Sequence, residues 1–492
     1  MLTGSKKRQL GTSGDAILLM FIKLVTITLG LVVTRLLSEY LSVGDYGTYS
    51  QIMLLISTIK TLTILGMIDG TNYFYCRETD SERRQRYLST MVALQGVLNG
   101  AVGIALMLLS KQVCLYFDNP DVKGLLIFAA TMPVMSNLLQ MVQVLLVAVG
   151  KAKMLAVRNL IVSVIRLCAV LVVVNIVQDA AIVLTASLVM DTVQVGLFIA
   201  ILHKNGCPII GKADLRMVGT ILRYCVPMGI FVAISGLNRD CDKYLISWMT
   251  NPETLAVYAN ASKTLPFDIV MGSFCTVLVP SITRSVTAGN HQKGSKLYRT
   301  FLEISYMSTT VLCCAALSAA PQLMELLYSE KYVSGLPVFC IYILVDLLRF
   351  TNITMVLTAA GKTGKLMILS VGALAANVLL NIVLFHIMGV PGPAVATLLT
   401  TLGVGLLILH YGAKELKTTL SALFDGKFFV LFMAENLILT VALYGAQMAL
   451  ARLGLHYFVI LVIICGAYAG IMLALYGKRL IRALKNVNKA TE

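Results

Sequence analysis

Two lysines stand where lysine is rarely found. Lys23 lies inside the apolar run Ala16 to Leu37, and Lys60 inside the run Tyr49 to Ile68. Each run is long enough to cross a bilayer, which takes about 20 apolar residues. A cation at hydrocarbon depth costs roughly 3 kcal/mol or more, so it normally faces a partner or a water-filled cavity. Lys23 lies 8 residues past Asp15, and Lys60 lies 8 residues before Ile68. If those two ends share one side, both ammoniums sit about 12 Å deep. Two cations at one level could hold an anion such as a phosphate. The competing reading is that each stem snorkels to the headgroups.

Other ionisable groups punctuate the apolar runs. Arg35 closes the first run and Arg239 follows the seventh; each either lines an outer mouth or anchors the span at the interface. Asp240 and Asp242, beside Arg239 and Lys243, could bind a coupling proton or cation, or form a solvated turn that pairs with itself. Lys263 enters the eighth run and could meet an anion, pair with Asp268 or snorkel. Asp346 and Arg349 are three apart, the spacing of an intrahelical pair. Arg166 and Asp191 lie at matched depths in consecutive runs and are expected to form a structural ion pair. Pro227 sits in the seventh run, and Pro266 and Pro280 in the eighth. The last two would free backbone groups, which suits a bent gating helix or a static kink. Glu303 and Glu435 receive no role.

The elements that must position these groups are membrane spans. The chain has 492 residues, of which 58% are hydrophobic and 13% charged, half the charged share of a soluble domain. Fourteen apolar runs are counted: 16–37, 49–68, 90–110, 125–149, 155–176, 181–202, 218–237, 257–283, 301–320, 336–360, 366–387, 393–412, 428–450 and 456–477. No cleavable signal pattern precedes the first. With the N-terminus inside, cytoplasmic segments hold 28 of the 40 Lys and Arg, and the opposite side holds 6. Positive loops stay cytoplasmic, so both termini are expected inside and the span count is expected to be even.

The net charge of +16 does not indicate nucleic acid, because it is spread over many short loops. The eleven cysteines show no metal-ligand spacing and read as packing residues. No phosphate-cradling Gly-rich loop, HExxH or Gly-x-Ser-x-Gly motif occurs, so no enzyme is expected and no cofactor is required. A membrane glycosyltransferase or polymerase should bring a large outer loop or an acidic metal-binding pair, and neither is visible.

The chain also repeats itself. At an offset of 211, Val122, Gly124, Leu125 and Phe128 fall on Val333, Gly335, Leu336 and Phe339, and Gly150-Lys151 falls on Gly361-Lys362. Spans 1–6 and 7–12 therefore read as two copies of like orientation, related by a pseudo-two-fold axis along the membrane normal. The expected division is an N-lobe over 1–205, a C-lobe over 206–413, and two further spans with a basic cytoplasmic tail over 414–492.

Several stretches carry a family likeness. They are TRLLSEYLSVGDYGTYSQ from Thr34, CVPMGIFVAISGLNRDCDKYLI from Cys225, VYANASKTLPF and VLVPSITR between Val257 and Arg284, and NVLLNIVLFHIMGVPGPAVATLLTTLG from Asn377. Their order and spacing resemble the multidrug/oligosaccharidyl-lipid/polysaccharide exporter superfamily, and within it the bacterial polysaccharide (O-antigen-type) flippases, over essentially the whole chain. The resemblance implies an all-α membrane protein with two six-helix lobes around a central cavity, alternating access and no ATP-binding domain. It implies a multi-pass protein of the bacterial cytoplasmic membrane. The substrate would be an oligosaccharide on a polyprenyl pyrophosphate, moved from the inner to the outer leaflet for O-antigen, capsule or exopolysaccharide synthesis. Lipid II-type and drug-exporting relatives are the alternatives. The expected partners are this substrate, membrane lipids and polysaccharide polymerase or glycosyltransferases, around a monomer. Coupling to protons, sodium or the membrane potential stays open. On this reading Lys23 and Lys60 take the pyrophosphate from the cytoplasmic side, Lys263 receives it, and Arg35 and Arg239 assist at the outer mouth.

Overall fold

The computed structural model describes residues 13–176, 179–268, 282–286 and 288–491, and the regular structure among them is helical. Twelve of the described helices are long and apolar enough to cross a membrane. They account for twelve of the fourteen apolar runs. The first run lies on a helix, Ser13–Tyr40, most of whose first-half side chains are outside the described set, as is much of the eighth run, 269–281.

The chain divides into two compact units, residues 1–233 and 234–492. In the first unit the helices are α1 (Ser13–Tyr40), α2 (Val43–Thr63), α3 (Met67–Arg77), α4 (Ser81–Leu108), α5 (Ser110–Phe117), α6 (Val122–Ala148), α7 (Ala152–Ile176), α8 (Ala180–Lys204) and the start of α9 (Leu215–Met249). α6 is the hub: it packs against α2, α3, α4 and α8, while α1 pairs with α7. Side-chain caps fix where several helices begin. Ser42 accepts from the Asp45 amide at 3.1 Å, Asp80 from Glu82 and Asp179 from Ala181, each satisfying an otherwise orphan first-turn N–H.

The second unit holds the rest of α9, then α10 (Pro252–Ala261), α11 (His291–Ser318), α12 (Ala320–Tyr328), α13 (Leu336–Leu348), α14 (Met355–Ala359), α15 (Thr363–Met388), α16 (Gly392–Glu415), α17 (Leu420–Leu423), α18 (Gly426–Arg452) and α19 (Tyr457–Thr491). Its core forms where α11 meets α18 and α19, around the buried Tyr306, Phe432, Tyr468 and Met472. α15 and α16 make a second close pair.

The boundary between the units falls inside α9, between Ala233 and Ile234. The reason is local packing. Gly229 sits so close to Leu65 that a Cβ there would lie 2.5 Å from the Leu65 carbonyl carbon, and Gly70 lies equally tight against the Cys225 sulfur. The first half of α9 is therefore fastened to the junction of α2 and α3. Pro227 stands inside this helix without ending it.

Helix starts recur through the chain. Ala152 and Thr363, which begin α7 and α15, are 211 apart; Ser81 and His291 are 210 apart, and Ala180 and Gly392 are 212 apart. The same helix ending recurs too. Lys151 N donates to Leu146 O at 2.8 Å, and Lys362 N donates to Leu357 O at 2.8 Å. The glycine before each lysine has positive φ, +82° at Gly150 and +69° at Gly361, the geometry that closes a helix through a left-handed residue.

Candidate functional site

In the first unit the site is organised by a broken span. α2 and α3 together run from Val43 to Arg77, and Lys60 is 17 residues from either end. The apolar run stops at Ile68, but the helix continues through Asn72–Cys76 to Arg77. The break is at Leu65 and Gly66, both left-handed, with φ of +43° and +68°.

A buried amide cluster holds that break. Gln95 donates to the Thr63 carbonyl at 2.7 Å, and Thr63 Oγ1 donates to Asn99 Oδ1 at 2.8 Å. Asn137 Nδ2 donates to Thr63 Oγ1 at 2.9 Å and to the Lys60 carbonyl at 3.3 Å. All four side chains are buried. A kinked helix exposes carbonyls that hydrocarbon cannot solvate, and these amides re-satisfy them.

Three cations of this unit's spans act on one carboxylate. Asp191 on α8 feels the fields of Arg166, Lys60 and Arg158, in that order. The expected Arg166–Asp191 contact pair does not form: no ion pair within 4.0 Å joins them among the described residues, and Arg166 is exposed. The two residues share a depth, but depth does not fix which way a side chain leaves its helix. Arg158 is the residue that sequence reasoning missed, because it lies near the start of its run, where arginine usually reads as a loop residue. Its guanidinium stacks 4.4 Å from the Phe198 ring centroid. Nη1 donates to Asn159 Oδ1 at 2.6 Å, while Nε and Nη2 are buried and make no hydrogen bond among the described residues. A guanidinium with unused donors is suited to a bidentate oxyanion. Arg35 carries its own counter-ion, Glu39, at 2.7 Å, as an anchoring residue would. The Lys23 side chain lies outside the described residues.

In the second unit, Asn238–Lys243 is part of α9 and no turn. The run DCDKYLISWM holds no helix breaker, so the helix extends to Met249. Asp240 is ion-paired to Lys243 at 2.8 Å and to Arg239 at 3.4 Å. Asp242 is buried at 1% exposure and accepts from Tyr258 at 2.8 Å and from Tyr342. The Cys241 thiol donates to Asn377 Oδ1 at 2.9 Å, and Asn381 Nδ2 donates back to its sulfur at 3.3 Å. Successive residues of α9 thus meet different partners: Asp240 its neighbouring cations, Cys241 the amides of α15, and Asp242 the phenols of α10 and α13.

Lys263 follows the end of α10, where the chain leaves the helix before a short 3₁₀ turn at Pro266–Asp268. Its Nζ donates to Asn260 Oδ1 at 3.1 Å and lies 5.8 Å from the Tyr328 ring centroid. Pro266 therefore stands at a full interruption of the helix, where the sequence predicts only a bend. Pro280 and the Asp268 side chain fall outside the described residues. Asp346 and Arg349 make the i,i+3 ion pair at 3.0 Å, and Asp346 Oδ2 accepts from the Leu265 amide at 2.9 Å. Glu303 pairs with Arg479 at 2.8 Å, and Glu435 accepts from Tyr476.

Membrane-spanning helices broken at polar points, with ionisable groups among them, make up a multi-pass membrane protein. Solved structures share this fold. Lipid II flippase MurJ in an inward closed conformation is similar at 15% identity and a TM-score of 0.71, over 93% of this chain and 99% of that one. An inward-facing multidrug resistance MATE family transporter of the MOP superfamily is similar at 13% identity and a TM-score of 0.64, over 82% and 98%. The Vibrio cholerae MATE transporter VcmN in its bent form is similar at 12% identity and a TM-score of 0.54, over 84% and 98%. No curated protein matches the chain. Residues 14–286, more than half of the chain, match the family described as Polysaccharide biosynthesis protein; the chain belongs to that family.

Proposed function

We propose that the protein is a flippase that carries polyprenyl-pyrophosphate-linked oligosaccharide from the inner to the outer leaflet of the bacterial cytoplasmic membrane by alternating access. The observation that carries this reading is the charge set of the first unit. Three cations of the spans, Lys60, Arg158 and Arg166, act together on the carboxylate of Asp191. A net positive interior suits a multiply anionic pyrophosphate, whereas the cation of a drug exporter would be repelled. Lys23 belongs to the same proposal, as do the fourteen-span count, cytoplasmic termini and two lobes of like orientation.

Arg35, Lys263 and Arg239 already have partners, so their part is to take over the anion by exchange rather than to wait as bare charges. Asp240 and Asp242 are proposed as the place where a coupling proton or cation acts, with the membrane potential as a further driving force. The enzymes that make and polymerise the repeat unit are the proposed partners of the monomer. A second reading, a lipid II-type precursor, draws on the fuller coverage of the MurJ fold, and its substrate carries the same pyrophosphate. The test is a deletion strain. Lipid-linked oligosaccharide should accumulate on the inner leaflet and clear when the intact protein is supplied. Accumulation of peptidoglycan precursor instead would favour the second reading, and accumulation of neither would end both.

A further inference from the structure

Beneath the break of the second span lies a cavity of about 440 Å³, formed by α3, α6 and α7. That is within the roughly 300–1,000 Å³ of small-molecule sites. Its polar lining is made of primary amides, Asn72, Gln140 and Gln143, set against Ile68, Val144 and Leu155, and no charged residue lines it. Gln140 and Gln143 follow Asn137 along α6, and Asn137 bonds the Lys60 carbonyl. The cavity is thus one to two helical turns from the lysine that we assign to the pyrophosphate.

The amides are largely unspent. Gln140 makes only a 3.4 Å bond to the Ser136 carbonyl, and Gln143 makes none among the described residues. Asn72 receives a weak thiol donor from Cys76 at 3.6 Å, which leaves its amide N–H groups free. Each primary amide offers two donors and an acceptor. Such groups inside a membrane span face a cavity rather than lipid, because hydrocarbon leaves them unsatisfied. A charge-free set of donors and acceptors over an apolar floor matches a neutral sugar ring, whose hydroxyls both give and take hydrogen bonds and whose C–H face is apolar. It does not match a diphosphate, which wants cations.

We infer that this amide-lined cavity binds the first sugar of the lipid-linked substrate while the cations hold the diphosphate. The inference rests on the flippase reading. It makes Gln140, Gln143 and Asn72 the residues that distinguish a glycosylated lipid from the bare carrier.

The test uses the full chain in lipid nanodiscs and two probes, polyprenyl diphosphate alone and the same lipid carrying one N-acetylglucosamine. The intact protein should bind the glycosylated lipid about tenfold more tightly, the effect of two neutral hydrogen bonds. Gln140→Leu with Gln143→Leu should abolish that preference and leave the affinity for bare lipid unchanged. Asn72→Ala, at an exposed position that does not threaten the fold, should narrow the preference by about threefold. Lys60→Ala should weaken both lipids in parallel. Equal binding of the two lipids by the intact protein would overturn the inference and leave the flippase reading standing. So would a preference that survives in the amide variants, or a loss in them that is the same for both lipids. Saturation by free N-acetylglucosamine at micromolar concentration would overturn it in favour of a soluble-sugar site. If the intact protein binds neither lipid, the flippase reading fails, and the sugar site with it.

Discussion

The amide of Leu265 donates to Asp346 Oδ2 at 2.9 Å, across 81 residues of chain. Leu265 belongs to the interruption after α10, so a carboxylate of α13 supplies what the missing helical turn would have supplied. The same carboxylate pairs with Arg349. Asp346→Ala should leave a buried N–H without its acceptor and remove the Arg349 ion pair, and lower the melting temperature of the detergent-purified protein. The orphaned N–H alone is worth about 1–3 kcal/mol. Asp346→Asn keeps an acceptor and should recover much of the loss. Equal melting of the alanine and wild-type proteins would show that the interruption is held by other means.

Lys60→Ala should weaken binding of polyprenyl diphosphate by about 10- to 150-fold, the loss of one charge-assisted hydrogen bond. Lys60→Arg should keep most of it. Polymer export in a complemented deletion strain, with protein level measured in the same cells, is the readout. Normal export in a Lys23→Ala, Lys60→Ala double variant would favour snorkelling. Loss of protein together with export would instead assign the lysines to folding.

Asp191 opposes the same anion. Asp191→Asn should tighten binding of polyprenyl diphosphate by about two- to fivefold, the scale of one partly screened charge. Because Arg166 does not contact Asp191, exchanging the two residues should rescue nothing. A charge swap that restored folded yield would mean that the two meet in another state of the protein.

Arg158→Lys keeps the charge but loses the planar fork and the stacking on Phe198. Transport should fall by about tenfold, the loss of one guanidinium hydrogen bond to an anion, with folded yield preserved. Arg158→Lys export at the wild-type rate would reduce this residue to a packing role.

Gly229→Val should prevent folding rather than slow transport. The added Cβ would meet the Leu65 main chain at 2.5 Å, and neither helix can yield without moving the span break. Overpacking of a tight core costs about 1–3 kcal/mol, and more where backbone is the obstacle. Wild-type amounts of monodisperse protein would show that the junction is looser than this.

The positions of most spans were legible because a helix must stay apolar over the whole hydrocarbon thickness to cross it, and runs of that length stand out. Span ends were less so. The stretch Asn72–Arg77 is polar enough to read as loop, yet it continues the helix. Asn238–Lys243 was misplaced for the same reason. Interior pairing was the least legible: Asp242 with Tyr258 and Tyr342, or Gln95 with the Thr63 carbonyl, depends on helix rotation, which apolar sequence hardly encodes. The asparagines and glutamines inside apolar runs were the available signal, since an amide in a span asks for a partner.

At the shared offset of 211 a way of ending a helix recurs, the glycine and following lysine at 150–151 and 361–362. The ionisable residues inside the spans do not recur. At that offset Lys60, Arg158, Arg166 and Asp191 correspond to Met271, Leu369, Asn377 and Leu402, while Asp240, Asp242, Asp346 and Arg349 correspond to Leu29, Leu31, Met135 and Leu138. The ionisable residues of each stretch thus stand where the matching position of the other is uncharged. A shared helix ending therefore carries two unlike polar interiors, a mainly cationic set in the first unit and a carboxylate–phenol set in the second.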